Sequence, residues 1–228
     1  QPSTIATYRK SLQTFFRWCG PHDPTRATLI RNLDRQDVRT FEADELVRIR
    51  TAADRVASIR SEPNARLAVE LALTMGLRQG EVFALRWDAI DAEERSVRVR
   101  WQIPKDSTTP KGLKGKRART ALVLPEWWPW MRAEASGFIC GKAGRPVGTR
   151  TQRDLVTRVL DTAGLNEVGM GWHIFRHTYA RQFIERGGRF EELQKSLGHR
   201  SITTTERRYG HFHEDVAVRM ARERIYGS

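Results

Sequence analysis

Two short stretches of this chain read as strands, and nearly every other patterned segment repeats at helical spacing. Val97–Trp101 alternates apolar residues with arginines, the pattern of a half-buried strand. Thr120–Leu124 reads as a second strand. Two strands of that length cannot build a core alone. They predict a small antiparallel sheet resting on a mainly α body, an α+β fold. Helices are expected at Thr4–Trp18, from near Ala43, and from Pro63 to Gly76 with Ala68, Leu71, Ala72 and Met75 as its buried stripe. Pro favours the first helical position and Gly the position past the end. A short helix carrying Val82, Leu85 and Trp87 follows. Further helices are expected near 150–163, 173–186, 189–196, 201–208 and 214–225. Trp127, Trp128 and Trp130 read as core or lid aromatics.

The helical stripe Ile5, Tyr8, Leu12, Phe15 and Phe16 ends at Gly20, Pro21 and Pro24. One helix cannot bury its own stripe, so residues 1–20 read as the tail of another domain. Residues 21–39 read as a linker and 40–228 as the main body, ending in a tail over 210–228. Lys and Arg total 40 against 27 acids, a net charge of +13. The excess is spread along the chain, unlike the one-sided charge of a membrane-surface helix. It points to a polyanion, most simply nucleic acid. No apolar run approaches the roughly 20 residues of a membrane span, and Gln-Pro-Ser-Thr does not read as a signal peptide. Cys19 and Cys140 form no C-x-x-C pair. A cytoplasmic location is expected.

Four constellations carry chemistry. In Met75-Gly-Leu-Arg-Gln-Gly-Glu81, Arg78 could fork onto a phosphate with Glu81 holding it; the plainer alternative is a surface ion pair. The loop Lys111-Gly-Leu-Lys-Gly-Lys-Arg-Ala-Arg119 is either a solvated face or a basic hairpin tip entering a DNA groove. Such a tip would use Lys111, Lys116, Arg117 and Arg119 as contacts, and a lysine there could protonate a leaving alkoxide. His173-Ile-Phe-Arg-His177 puts two imidazoles on one helix face. A zinc protease would need Glu where Ile174 stands, so no metal is expected. His177 could equally cap a helix or be satisfied in the core. Finally, Leu197-Gly-His-Arg-Ser-Ile-Thr-Thr-Thr-Glu-Arg-Arg-Tyr209 puts a tyrosine among Arg207, Arg208, His199 and His211. That positive field is expected to favour phenolate and lower the Tyr209 pKa.

Together and in this order, the boxes M-G-L-R-Q-G-E, H-I-F-R-H and L-G-H…Y resemble the tyrosine recombinase (phage integrase) family over roughly Phe41–His213. The resemblance implies that family's catalytic fold, with residues 1–20 as the last helix of a core-binding domain. It implies site-specific cutting and rejoining of double-stranded DNA through a 3′-phosphotyrosine, with no cofactor, in integration or excision of a phage or other mobile element. Carried over residue by residue, the catalytic set is Arg78, Lys114, His173, Arg176, His199 and the nucleophile Tyr209, with Glu81 and His177 in support. Arg78 and Arg176 would clamp the phosphate, Lys114 would protonate the leaving oxygen, His173 would assist at Tyr209, and His199 would donate to the phosphate. Lys111 and Lys116 share the turn and remain alternatives to Lys114. From His199 to Tyr209 is ten positions, one more than is common in that family, so a loop near Arg207–Arg208 is expected to absorb the extra residue. The tail would dock on a neighbouring copy in a tetramer on DNA, with an accessory DNA-bending protein as a further partner; the alternative is that it folds back on its own domain. Competing functions are a type IB topoisomerase, a DNA-binding regulator without catalysis and a zinc hydrolase.

Overall fold

A computed structural model of the chain describes residues 2–19, 38–60, 64–113, 118–130, 135–141, 145–167 and 169–226. It divides into two units, Gln1–Asp37 and Val38–Ser228. In the first, helix α1 (Pro2–Cys19) leaves Tyr8, Leu12 and Phe15 exposed. The expected linker lies almost wholly outside the described residues, as do Lys114, Lys116 and Arg117.

The second unit is organised around α3 (Asn64–Met75). Every residue from Ala68 to Met75 is buried, including Glu70 and Thr74. The expected stripe is therefore real but too narrow. A helix buried all round belongs in the middle of a core. Helices α2 (Ala43–Arg60) and α6 (Trp172–Glu185) pack on it. The short α4 (Gln79–Val82) follows α3, and α5 (Thr149–Ala163) lies on α2.

The sheet is antiparallel with order β1 (Ile90–Asp91), β2 (Ser96–Val99), β5 (Arg119–Leu122). Val97 and Val99 of β2 face the core while Arg98 is exposed, as the alternation requires. The expected strand Val97–Trp101 is interrupted at Arg100. Val99 lies opposite Arg119, the first residue of β5; beyond that point β3 (Trp101–Gln102) pairs instead with β4 (Lys111–Gly112). Among the tryptophans after Pro125, Trp127 is fully buried and Trp128 and Trp130 are partly so.

The C-terminal third holds α6, α7 (Phe190–Leu197) and α8 (Ile202–Tyr226). The two helices expected at 201–208 and 214–225 are one helix of 25 residues, with no loop near Arg207–Arg208. Gly210 lies inside it. A mid-helix glycine costs about 1 kcal/mol relative to alanine. Burial of Tyr209 and Val216 in one apolar cluster with residues of α6 and α7 offsets that cost.

Candidate active site

Helix α3 ends at Gly76, whose φ of +59° is left-handed. A Cβ there would lie 2.3 Å from Tyr179 Cδ1, so only glycine turns the chain here. The turn delivers Arg78 as the N-cap of α4, and Glu81 closes that cap by accepting the Arg78 amide at 2.9 Å. Glu81 also accepts Arg78 Nη1 at 3.1 Å and a fork from Arg119, Nη1 at 2.9 Å and Nη2 at 2.7 Å. Burial alone would raise the Glu81 pKa. Hydrogen bonds and charge from Arg119, with Arg176 and Arg78, overcome it and hold the carboxylate at about 2. Arg119 Nε donates to the Ser196 carbonyl at 2.8 Å. All three guanidinium nitrogens of Arg119 are thus engaged inside the protein. In this structure Arg119 ties β5 to α4 and α7. Lys111 stands exposed on β4.

Arg176 is almost completely buried. Its Nη1 donates to the Gly76 carbonyl at 2.6 Å and its Nη2 to the Leu197 carbonyl at 2.6 Å. Those carbonyls mark the C-terminal ends of α3 and α7, where helix dipoles favour a cation. Arg176 Nη2 also lies 3.3 Å from His199 Nε2, and His199 Nδ1 lies 2.8 Å from Thr205 Oγ1. Arginine can only donate. Nε2 is therefore the acceptor, and Nδ1–H donates to Thr205. Burial, then Arg176 and Arg78, lower the His199 pKa to about 3, consistent with a neutral ring. Gly198, at φ +66°, ends α7 and lets Arg119 pass; a Cβ would meet Arg119 Cδ at 2.6 Å.

Tyr209 has no exposed surface. Its hydroxyl lies 2.8 Å from His177 Nδ1, and its ring stacks at 6.4 Å on His199 and at 6.3 Å on Phe212. Burial raises its pKa, although Arg176, Arg208 and Arg78 pull the other way. The expected lowering is therefore reversed: the positive field is present, but desolvation of the phenolate outweighs it. The remaining buried tyrosine, Tyr179, donates to the Leu122 carbonyl at 3.0 Å and accepts from Ser196 Oγ at 2.8 Å. Its hydroxyl is locked between β5 and α7, with its pKa pushed up to about 12 by burial.

Residues 39–215 match the phage integrase family. The chain belongs to that family. It is 32% identical over 191 residues to the tyrosine recombinase XerC of Pseudomonas aeruginosa (strain LESB58), covering 81% of this chain and 59% of that protein. The XerC of Mycobacterium leprae (strain TN) is 29% identical over 211 residues, covering 86% of this chain and 68% of its own. The chain thus spans about three fifths of the length of the first of these relatives. Its fold is that of the Tn1549 transposon integrase solved with circular intermediate DNA: TM-score 0.72, 19% identity, 96% of this chain and 79% of that one. The catalytic domain of bacteriophage HP1 integrase aligns at TM-score 0.55 and 22% identity, over 84% of this chain and 99% of that one.

In this phage integrase body, Arg78, Glu81, Arg176, His177, His199 and Tyr209 form one linked cluster. His173 is on its edge: it is exposed and lines a cavity of about 290 Å³ with Arg39, Glu167, Gly171, Ile174 and His177. The contact that sequence reasoning missed is that of Arg119 with Glu81, 38 positions away. The half-buried imidazoles of His177 and His199 set an acid limit. His177 is also lowered to about 3, by burial first and Arg208 next. An unfolded histidine titrates near 6.5. Above that pH both states are neutral and nothing changes; below it the unfolded chain takes up protons that the folded one refuses until about pH 3. The melting temperature is expected to fall from pH 6.5 to 5, a window well above that of Glu81. Replacing both residues with asparagine should flatten the slope in a calorimetric series.

Proposed function

We propose that this chain is the catalytic body of a site-specific recombinase that cuts and rejoins DNA strands through a 3′-phosphotyrosine on Tyr209. The observation that carries this reading is the phenol held in a pocket of base and cation. Its hydroxyl contacts His177, and Arg176, Arg208 and Arg78 all act on its charge. Tyr209 attacks the phosphorus of a strand, the 5′-oxygen leaves, and a different 5′-hydroxyl later reverses the step. Bond energy stays in the phosphotyrosine, so neither nucleotide nor metal is needed. Arg78 and Arg176 clamp the non-bridging oxygens, where preorganised donors are worth about 3–4 kcal/mol each. A phosphate oxygen taking the Arg176 N–H would free His199 Nε2. The added negative charge would then favour the protonated ring that donates to it. Lys114, with Lys111 and Lys116 as alternatives, is assigned to protonate the leaving oxygen.

The partner is double-stranded DNA; the Tn1549 integrase was solved with circular intermediate DNA and XerH bound to difH substrate. The substrate context is a mobile element. Exposed Val218, Ile225 and Tyr226 on the outer half of α8 suit docking on a second copy within a tetramer. An accessory DNA-bending protein would assist assembly. Helix α1 is assigned to a core-binding domain.

The test is to incubate the protein with fragmented DNA of its source genome, denature, and map attached nucleotides by peptide mass spectrometry. Adduct on Tyr209 is expected, and attachment at any other residue would overturn the assignment. Binding that engages about 6–10 phosphates should weaken by about 10³–10⁵ between 50 and 200 mM salt. A flat titration would contradict a DNA clamp.

A further inference from the structure

We propose that His177, the histidine that follows the clamping arginine, is the catalytic residue that takes the proton from the Tyr209 hydroxyl, in place of His173. The proposal deepens the reading above and rests on Tyr209 being the nucleophile. Its ground is contact: His177 Nδ1 and the Tyr209 hydroxyl are 2.8 Å apart, whereas His173 is exposed at the rim of the cavity. His173 and His177 sit one turn apart on α6, and the inner one meets the phenol.

The direction of the proton follows from the chemistry of this contact. A neutral imidazole carries one N–H, and only the ring nitrogen without it can accept. For the phenol to give its hydrogen to Nδ1, 2.8 Å away, that nitrogen must be the bare one. The His177 proton then sits on Nε2, and His177 itself lines the cavity, which provides an exit. In the cleavage step the Oη–H bond breaks towards Nδ1 and the Oη electron pair forms the bond to phosphorus. The P–O5′ bond breaks with its pair on oxygen, which takes a proton from a loop lysine or from water. Imidazolium at His177 then loses Nε2–H to water through the cavity.

The site also explains why the base is silent at rest. Burial first, then Arg208 of α8, His173 and Arg176 of its own helix, and His199 after α7 disfavour charge on His177. Arg39 and Glu167 face it across the cavity. A phosphate between the arginines offsets the charge part of that penalty, so bound DNA would raise the basicity of His177. Cleavage chemistry is thereby tied to an occupied clamp.

Two measurements test this. In nitrogen-15 NMR of histidine-labelled protein without DNA, His177 should show the Nε2–H tautomer with Nδ1 as acceptor; the Nδ1–H tautomer overturns the proposal. The second compares adduct formation against pH for wild type, His177→Asn, His173→Asn and Tyr209→Phe, using fragmented source-genome DNA. Asparagine at 177 keeps an acceptor near the phenol but cannot take its proton. His177→Asn should slow the reaction about 100-fold at pH 7, with the rate rising tenfold per pH unit as hydroxide replaces the base. His173→Asn should keep the wild-type slope. A rate within threefold of wild type for His177→Asn, or the hydroxide slope appearing in His173→Asn, sinks the proposal. Adducts surviving in Tyr209→Phe would sink the nucleophile assignment instead, and the tautomer result stands apart from both.

Discussion

Tyr209→Phe is expected to fold, to bind DNA as wild type does, and to form no covalent adduct. Phenylalanine fills the same fully buried space and keeps the ring contacts with His199 and Phe212. What it loses is the hydroxyl and its 2.8 Å contact with His177. An acceptor left unpaired in a buried site costs about 1–3 kcal/mol. For a body of this size that lowers the melting temperature by roughly 2–10 °C, which leaves the variant folded at 25 °C. DNA affinity rests on cations, and none is removed. No other described tyrosine fits the vacancy. Tyr179 is locked to Leu122 and Ser196 with its proton firmly held, and Tyr226 is 79% exposed at the far end of α8. The measurement pairs a denaturing adduct gel with a thermal melt. Adduct in the folded variant would place the nucleophile elsewhere.

The parts of this molecule that sequence made legible are those with a local signature. The helical stripe on α3, the alternation across β2 and the glycine after Met75 each follow from spacing and backbone sterics. The gathering of Arg78, Arg176, His199 and Tyr209 is instead what the resemblance to the phage integrase family implies; spacing alone does not supply it. What sequence leaves out has a different character. Two helices are expected near 201–208 and 214–225, yet tertiary burial of Tyr209 and Val216 carries α8 through Gly210 as one. The arginines around Tyr209 are plain in sequence, but the depth at which the phenol is buried is not, and depth decides the sign of its shift. Arg119 reads as part of a basic loop; nothing local marks Glu81 as its partner. Likewise His173 and His177 are equivalent by spacing, and only packing against α8 distinguishes them.

Arg176→Lys should lose both chemistry and stability, and the comparison with Arg78→Lys separates the two. A lysine at 176 keeps the charge but presents a point, not a planar fork. It cannot reach the Gly76 and Leu197 carbonyls together, as the two Nη atoms do at 2.6 Å each. The ends of α3 and α7 then lose their common tie, and a buried cation is left short of partners. Such a loss costs about 3–5 kcal/mol, roughly 6–20 °C in melting temperature. Cleavage should fall by at least about 10²–10³ through the missing phosphate donor. Arg78 makes a different contribution: its side chain is 30% exposed and pairs with Glu81, which Arg119 also holds. Arg78→Lys should therefore lose cleavage to a similar degree while melting within about 1 kcal/mol of wild type, the worth of an exposed pair. Melts and adduct rates on both variants decide the matter. If Arg176→Lys melts like wild type, the guanidinium is not the bolt between these helices. If it also cleaves, the phosphate clamp has been put on the wrong residue.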